Sequence, residues 1–362
     1  MAARRTVRTG RTLVIVAGLS LAVAGCSSST KSNNSSGNSN SNPTVASPSA
    51  SASAGGAGCT AESVGYPKIA DFHGVKVGFS QSEPDNASFR AAETQSMRDE
   101  AKKQGAELLY ANANKQADKQ IADIKDLITK GAKLLIVAPL NSDGLQPAWD
   151  AAKAAKVPVV TVDRLVNAKA CADYLTFIGS NFVSQGKRAA DAMIKATGGK
   201  GNLVMLLGSS GNGVTTDRTS GFVDQIKAAA PGMKILAQQT GDFDRATGQK
   251  VMAQLLQANP DINAVYAEND EMGVGAWNAI KAAGKQPGKD IKIISIDGIK
   301  DAVSKIVTGS YNGVIQSNPR FGPLAFEQLK KFEDGTGVPD KVIISDDEYT
   351  PDNAKEKLGD AF

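Results

Sequence analysis

The chain has 362 residues, 41% hydrophobic, 22% charged and 5% aromatic, a length that suits two ordinary domains better than one. Its formal charge of +4 comes from one end: Arg4, Arg5, Arg8 and Arg11 precede residue 25, and the remainder carries 37 basic and 37 acidic side chains. No clustered basic excess suits a nucleic acid, and one histidine with three cysteines excludes a His-rich catalytic metal site and a disulfide-dense scaffold.

An apolar run from Leu13 to Ala24 follows the arginines. It falls short of the about 20 residues that a bilayer span requires and reads as the core of a secretory signal over residues 1–25. No later apolar stretch reaches spanning length. Leu21-Ala-Val-Ala-Gly-Cys26 resembles the lipobox of bacterial lipoproteins, which implies a lipid on Cys26. Residues 27–58 hold twelve Ser and five Asn and almost no large apolar side chain, so they cannot offset the entropy of ordering. A flexible tether is therefore expected over 26–72. The expected location is the extracytoplasmic face of the cell membrane, with the lipid as the only anchor. That compartment permits disulfides, and Cys59 and Cys171, the cysteines left after acylation of Cys26, are expected to pair.

From Val75 onward, short apolar runs without alternation recur at Val75–Ser80, Leu108–Ala111, Leu134–Ala138, Val157–Val162, Leu203–Leu207, Ile235–Ala237, Ala264–Ala267 and Ile291–Ile296. Strands buried on both faces have this pattern, as in parallel sheets covered by helices. Between them lie amphipathic helical stretches at Ala91–Gln104, Ala117–Lys130, Ser184–Ala196, Gly221–Ala229, Thr247–Ala258 and Met272–Ala283. Gly105, Gly131, Pro231, Pro260 and Gly284 act as stop signals. The fold class is α/β, with two open parallel sheets preferred to one closed barrel. Crossovers between lobes are expected at Asp173–Ser180 and Tyr311–Ser317. The first lobe is assigned 73–179 plus about 317–340, and the second 180–316 plus about 341–362. Ligands of such sheets sit beyond the carboxyl ends of the strands, so two facing lobes make a cleft there.

The strand-end loops are rich in carboxylates, amides and arginines: Gln81–Arg90, Asp163-Arg164, Gly208–Arg218, Asp242–Arg245, Glu268–Glu271 and Asp297-Gly298. Beyond the signal there are only seven arginines against 30 lysines, yet Arg90, Arg164, Arg218, Arg245 and Arg320 fall at this level or in a crossover. For Arg245 the alternative is an ion pair with Asp242 or Asp244. Such sets suit a neutral polyol: carboxylates and amide oxygens take the hydroxyl proton, while guanidinium and amide N–H groups fill its lone pairs. Phe89 and Phe243 are candidates to cover the C–H face of a sugar ring, whereas Trp149 and Trp277 lie in helical periods and read as core. The glycines of Gly208–Gly213 lack the Lys-Ser/Thr of a phosphate cradle. Asp163 with Asp297 suggests a glycosidase pair, but no raised acid is marked.

At these residues the chain resembles the periplasmic sugar-binding proteins of ABC importers, in the ribose-like type I group and with particular likeness to its galactofuranose-binding members. The resemblance covers residues 73–360 and rests on Val77-Gly-Phe-Ser-Gln81, Phe89-Arg-Ala-Ala-Glu-Thr94, Val162-Asp-Arg164, Gly241-Asp-Phe243, Asn269-Asp-Glu-Met272, Pro287-Gly-Lys-Asp-Ile291, Ser295-Ile-Asp-Gly298, Gly322-Pro-Leu-Ala-Phe326 and Tyr349-Thr-Pro-Asp352. It implies the two-lobed periplasmic-binding-protein fold and sugar contacts from Asn86, Phe89, Arg90, Asp163 and Arg164 on one lobe, from Arg218, Phe243, Asn269 and Asp297 on the other, and from Gln316 at the crossover. Phe89 in place of tryptophan and Gln316 in place of glutamate depart from the galactofuranose binders, and Ala138-Pro139 departs from the ribose binders. These departures leave the sugar open. The expectation is a monomeric lipoprotein that captures a monosaccharide and delivers it to an ABC permease. No catalytic residue, cofactor or metal is expected. A sugar-sensing co-receptor and an extracellular glycosidase are the alternatives.

Overall fold

The computed structural model describes residues 50–52 and 58–362. The signal, Cys26 and most of the Ser/Asn-rich segment lie outside the described residues. The strands run in chain order β1 (Ala50–Ala52), β2 (Lys76–Gln81), β3 (Glu107–Asn112), β4 (Leu134–Val137), β5 (Val159–Val162), β6 (Thr176–Gly179), β7 (Lys200–Leu207), β8 (Gly232–Thr240), β9 (Ala264–Ala267), β10 (Lys292–Asp297), β11 (Gly313–Gln316), β12 (Lys341–Ile344) and β13 (Glu348–Tyr349). They form two sheets, ordered β1-β12-β6-β5-β4-β2-β3 and β13-β11-β10-β9-β7-β8. Among the strands of the described residues, only the edge pairings β1–β12 and β11–β13 are antiparallel. Strands β4, β5, β6, β9 and β11 are buried along their whole length, which explains why their residues do not alternate.

The helices are α1 (Ala61–Val64), α2 (Ser88–Lys103), α3 (Ala117–Thr129), α4 (Gln146–Ala154), α5 (Phe182–Thr197), α6 (Gly213–Ala229), α7 (Arg245–Ala258), α8 (Asp270–Ala282), α9 (Lys300–Val307), α10 (Gly322–Asp334) and α11 (Ala354–Lys357). Each sheet has apolar clusters on both faces. In the first lobe Phe79, Phe326 and Phe332 belong to one cluster and Leu135, Trp149 and Phe177 to the other. In the second, Val204, Met272 and Ile293 belong to one, and Met205, Phe222 and Ile294 to the other. No helix among the described residues is long and apolar enough to cross a membrane.

Among the described residues the chain passes between the sheets three times, after β6, β11 and β12. Two of the sequence assignments change as a result. The expected crossovers Asp173–Ser180 and Tyr311–Ser317 each contain a buried strand, Thr176–Gly179 as β6 and Gly313–Gln316 as β11, and each passage occupies the residues just after its strand. Lys341–Ile344 was placed in the second lobe, but it pairs in parallel with β6 in the first sheet. This strand is only four residues long and its burial alternates with exposed Lys341, so it gave little apolar signal.

The tether expected over 26–72 also needs correction at its end. Thr60 caps α1 in a reciprocal capping box with Ser63, and Cys59, Ala61 and Phe72 are buried in the first lobe. Cys59 and Cys171 are bonded, with Cα atoms 5.5 Å apart, and Cys59 exchanges backbone hydrogen bonds of 3.1 and 3.0 Å with Val338. Residues 58–72 are thus part of the lobe, secured by the expected Cys59–Cys171 bond.

Candidate functional site

The carboxyl ends of β2 and β5 in one lobe, and of β9 and β10 in the other, face a shared cavity lined by Glu83, Phe89, Arg90, Asp163, Arg164, Val214, Arg218, Phe243, Asn269, Glu271 and Asp297, with Ala87. Eight of the ten residues expected to touch a ligand are in this lining. Asn86 is exposed and does not line it, because it precedes the first turn of α2, which presents Phe89 and Arg90 inward. Gln316 is buried at the end of β11 beside Asp297, but it is also outside the lining. Its amide donates to Tyr349 Oη at 3.0 Å and accepts from Asp347 N at 3.1 Å, so it ties β11 to the third crossing.

Three guanidiniums define the polar walls. Arg90 donates through Nε to Glu83 at 3.0 Å and through Nη1 to Glu93 at 2.7 Å, and the same Nη1 lies 2.7 Å from Asp163 Oδ2. Arg164 reaches the other oxygen of Glu83 at 3.0 Å and the Leu140 carbonyl at 3.0 Å, with Nε 3.6 Å from Asp163. Arg218 donates through Nε to Gln185 at 3.0 Å and through Nη1 to the Glu268 carbonyl, and Nη2 lies 3.5 Å from Asp297. Every fork is fixed by protein before a ligand arrives, which limits the entropy lost on binding. Among the lining residues three guanidiniums face four carboxylates, and Arg245 pairs with one of these, Glu271. The cavity therefore offers no cationic excess for a phosphate or carboxylate.

Burial sets the protonation pattern. It pushes the Asp297 carboxyl well above its usual range, against the opposing pull of Arg218. Glu93 is raised to about 7 by burial, opposed by Arg90 and reinforced by the charge of Asp163. Glu83 is held well below the usual carboxylate range: burial works against this, but Arg164 and Arg90 together outweigh it. Behind the lining, Glu268 accepts from Gly208 N at 2.7 Å and from the Thr219 hydroxyl, yet burial raises it to about 7. A raised carboxyl at Asp297 is absent from the sequence reading, because desolvation is a property of the closed cavity.

Phe89 and Phe243 supply one aromatic face from each lobe. Phe89 is backed by Phe321 and Phe362 at 6.4 and 5.9 Å between ring centroids. Phe243 lies against Gly208, where a Cβ would stand 2.0 Å from the ring, and Arg164 of the other lobe sits 6.0 Å from its centroid. Asn269 caps α8 by accepting from Met272 N at 2.9 Å and donates to the Phe243 carbonyl at 3.2 Å. The site backbone is strained: Asp163, Asp242, Phe243 and Asp297 have φ of 64°, 57°, 54° and 140°. Asp270 holds the turn after Asp297 by accepting from Gly298 N at 2.7 Å and Ile299 N at 2.8 Å.

The sequence reading passed over Glu83 and Glu271, although it quoted both loops. The available signal was the arginine count: buried guanidiniums need carboxylates, and the loop before Arg90 offers Glu83 and Asp85, of which Glu83 meets the guanidinium. Arg245 pairs with Glu271 and Asp301, at 2.6 and 3.0 Å, rather than with the acids beside it in sequence. Arg320 donates to the Asp360 carbonyl at 3.3 Å and also lies outside the lining.

Two parallel α/β sheets with a cleft at their strand ends define a solute-binding architecture, and the comparisons agree. Residues 77–336 match the family model described as the periplasmic binding protein domain. The chain belongs to this family, in its ribose-like type I group. It is 36% identical over 287 residues to the galactofuranose-binding protein YtfQ of Escherichia coli, covering 78% of this chain and 90% of that protein. Among solved structures, it resembles the binding component of the arabinose ABC transporter from Shewanella sp. ANA-3, bound to α- and β-L-arabinofuranose. That match has a TM-score of 0.75 and 33% identity, covering 79% of this chain and 95% of the other. A Mycobacterium smegmatis protein in complex with β-D-fucofuranose matches with a TM-score of 0.74 and 35% identity, covering 79% and 94%.

Proposed function

We propose that this chain is an extracytoplasmic receptor that takes one neutral monosaccharide between its lobes and delivers it, unaltered, to an ABC-type importer. The observation that carries this reading is the cavity itself: Arg90, Arg164 and Arg218 are already paired with carboxylates, and Phe89 and Phe243 face in from opposite lobes. The expected ligand contacts are Phe89, Arg90, Asp163, Arg164, Arg218, Phe243, Asn269 and Asp297. Each oxygen of a polyol finds a donor or acceptor there, and a missing hydroxyl leaves a buried group unpaired at a cost of about 1–3 kcal/mol. The three relatives named above carry furanose sugars in their names or titles, so a furanose is the favoured form.

A ligand that touches both lobes binds the closed arrangement better and draws the population toward it. Cys26 carries the lipid that keeps the receptor at the membrane. Catalysis is not part of this reading. Asp163 is clamped by Arg90 at 2.7 Å, which suits a fixed acceptor better than a nucleophile or base that must change protonation.

A thermal-shift screen of pentoses, hexoses and polyols tests the binding, since a ligand of the folded state alone raises the melting temperature. Stabilisation by neutral sugars and none by their phosphates is the expected result; no shift with any neutral sugar refutes it. Cys26→Ser is expected to release the protein into the medium, and retention in the membrane fraction would refute the anchor.

A further inference from the structure

The first turn of α2 presents Phe89 and Arg90 to the cavity, yet it lacks a cap of its own. Its N-cap is Ala87, which makes no side-chain hydrogen bond, and no acid stands in its first turn. By contrast α5, α6, α7 and α8 of the second lobe are capped by Asn181, Asn212, Asp244 and Asn269. The facing lobe supplies what α2 lacks. Glu271 Oε1 accepts from Ser88 N at 3.4 Å and from Ser88 Oγ at 3.3 Å. Its other oxygen accepts from Arg245 Nε at 2.6 Å, and Arg245 Nη1 donates to Asp301 at 3.0 Å. Arg245 and Asp301 belong to the second lobe, so the carboxylate is aimed before the lobes meet.

We propose that Glu271 is a positioning residue for sugar capture: it caps α2 from the opposite lobe, and so steadies in the closed arrangement the first turn that carries Phe89 and Arg90. A carboxylate at a helix N-terminus satisfies an orphan N–H and meets the positive end of the helix dipole. Opening the cleft removes that partner from α2 and leaves its first turn to water. Closure thus gains a term independent of the ligand, and the gain falls on the turn that carries two cavity residues. Other contacts also cross between the lobes, among them Lys115 Nζ to Asp242 Oδ2 at 3.3 Å, Gly213 N to Ser142 Oγ at 3.1 Å, Arg164 over the Phe243 ring and Phe89 against Phe362, but the Lys115 pair is exposed, the Ser142 bond joins neutral groups, and neither ring contact caps the helix. The inference rests on the closure reading above.

The test compares Glu271→Ala, Glu271→Gln, Ser88→Ala and the Ser88→Ala/Glu271→Ala double variant in the full chain. Hydrogen exchange of the segment 84–92 is followed in the sugar-free and the sugar-saturated protein, the second being the state in which the cap is made, and L-arabinose, D-galactose and D-fructose are titrated by calorimetry. Loss of a cap corresponds to about a two- to thirty-fold change in an equilibrium. Glu271→Ala is expected to speed first-turn exchange and weaken sugar affinity within that range. Gln, which keeps an acceptor, is expected to fall between. Ser88→Ala is expected to add little once Glu271 is gone, because the two act as a pair. Unchanged exchange in Glu271→Ala, or additive effects of the two sites, overturns the proposal in favour of a role for Glu271 confined to its own lobe. If no neutral sugar binds the wild type, the sugar-receptor reading is refuted; sugar binding with unchanged first-turn exchange in Glu271→Ala refutes the cap alone.

Discussion

Asp163→Asn isolates the chemistry of the cavity. The carboxylate lies 2.7 Å from Arg90 Nη1 and 3.6 Å from Arg164 Nε, and its side chain is 8% exposed. The substitution preserves shape and removes one acceptor charge from a buried cluster. Charged hydrogen bonds of this kind are worth about 1.5–3 kcal/mol, so sugar affinity is expected to fall by about 10- to 150-fold. The fold is expected to survive, because Glu93 compensates. Burial raises Glu93 to about 7, and the charge of Asp163 adds to that rise. Removing this charge lets Glu93 ionise against Arg90 Nη1 at 2.7 Å. Calorimetric titration gives the affinity, and a urea melt of the ligand-free protein gives the stability. Affinity within twofold of wild type refutes the placement of Asp163 in the binding surface. A loss of several kcal/mol of stability with little change in affinity shows that Asp163 serves the fold instead. Arg90→Ala is a poorer probe, because it strips a partner from Glu83, Glu93 and Asp163 together.

Three further outcomes follow from the same geometry. Gly208→Ala places a Cβ 2.0 Å from the Phe243 ring, so the ring is displaced and affinity is expected to fall at least tenfold; near-wild-type calorimetry contradicts this. Cys59→Ser opens a cross-link of sequence separation 112 and is expected to cost up to about 5 kcal/mol in a urea melt, whereas an unchanged midpoint shows that the bond does not constrain the unfolded chain. Glu268 is raised to about 7, so the folded protein keeps a proton that the unfolded chain releases near its ordinary carboxylate pKa. Stability of the ligand-free protein is therefore expected to fall as pH rises from about 4.5 through 7, and Glu268→Gln is expected to reduce that slope in pH-dependent melts. A slope the same in both proteins contradicts the assignment.

Much of the architecture was legible because parallel strands buried on both faces leave continuous apolar runs. Ala264–Ala267 was read to the residue, and Ala117–Thr129 was missed by one position at its end. The short strands late in the chain, β12 and β13, were not legible. Lys341–Ile344 has an exposed lysine and only two fully buried residues, and its place beside β6 depends on a pairing 164 residues away in sequence, Lys341 with Phe177. In the site, loops at strand ends named most of the lining, since strand topology alone puts them at one level. Asn86 lies outside the lining because loop membership does not say which residues of the loop turn inward, and the break into α2 decides that. Glu271 was overlooked because its two partners, Ser88 and Arg245, come from different lobes. The raised carboxyls were hidden for a related reason: desolvation arises only when distant segments close over one another.

The central claim is a single neutral sugar held between two lobes and returned unchanged. The most direct measurement loads the purified chain with the sugar that gives the largest thermal shift, determines the stoichiometry by calorimetry, and recovers the ligand for mass and anomer analysis. One sugar per chain, chemically intact after prolonged incubation, is the predicted result. A hydrolysed or otherwise altered product, or a stoichiometry near zero for every neutral sugar, contradicts the account.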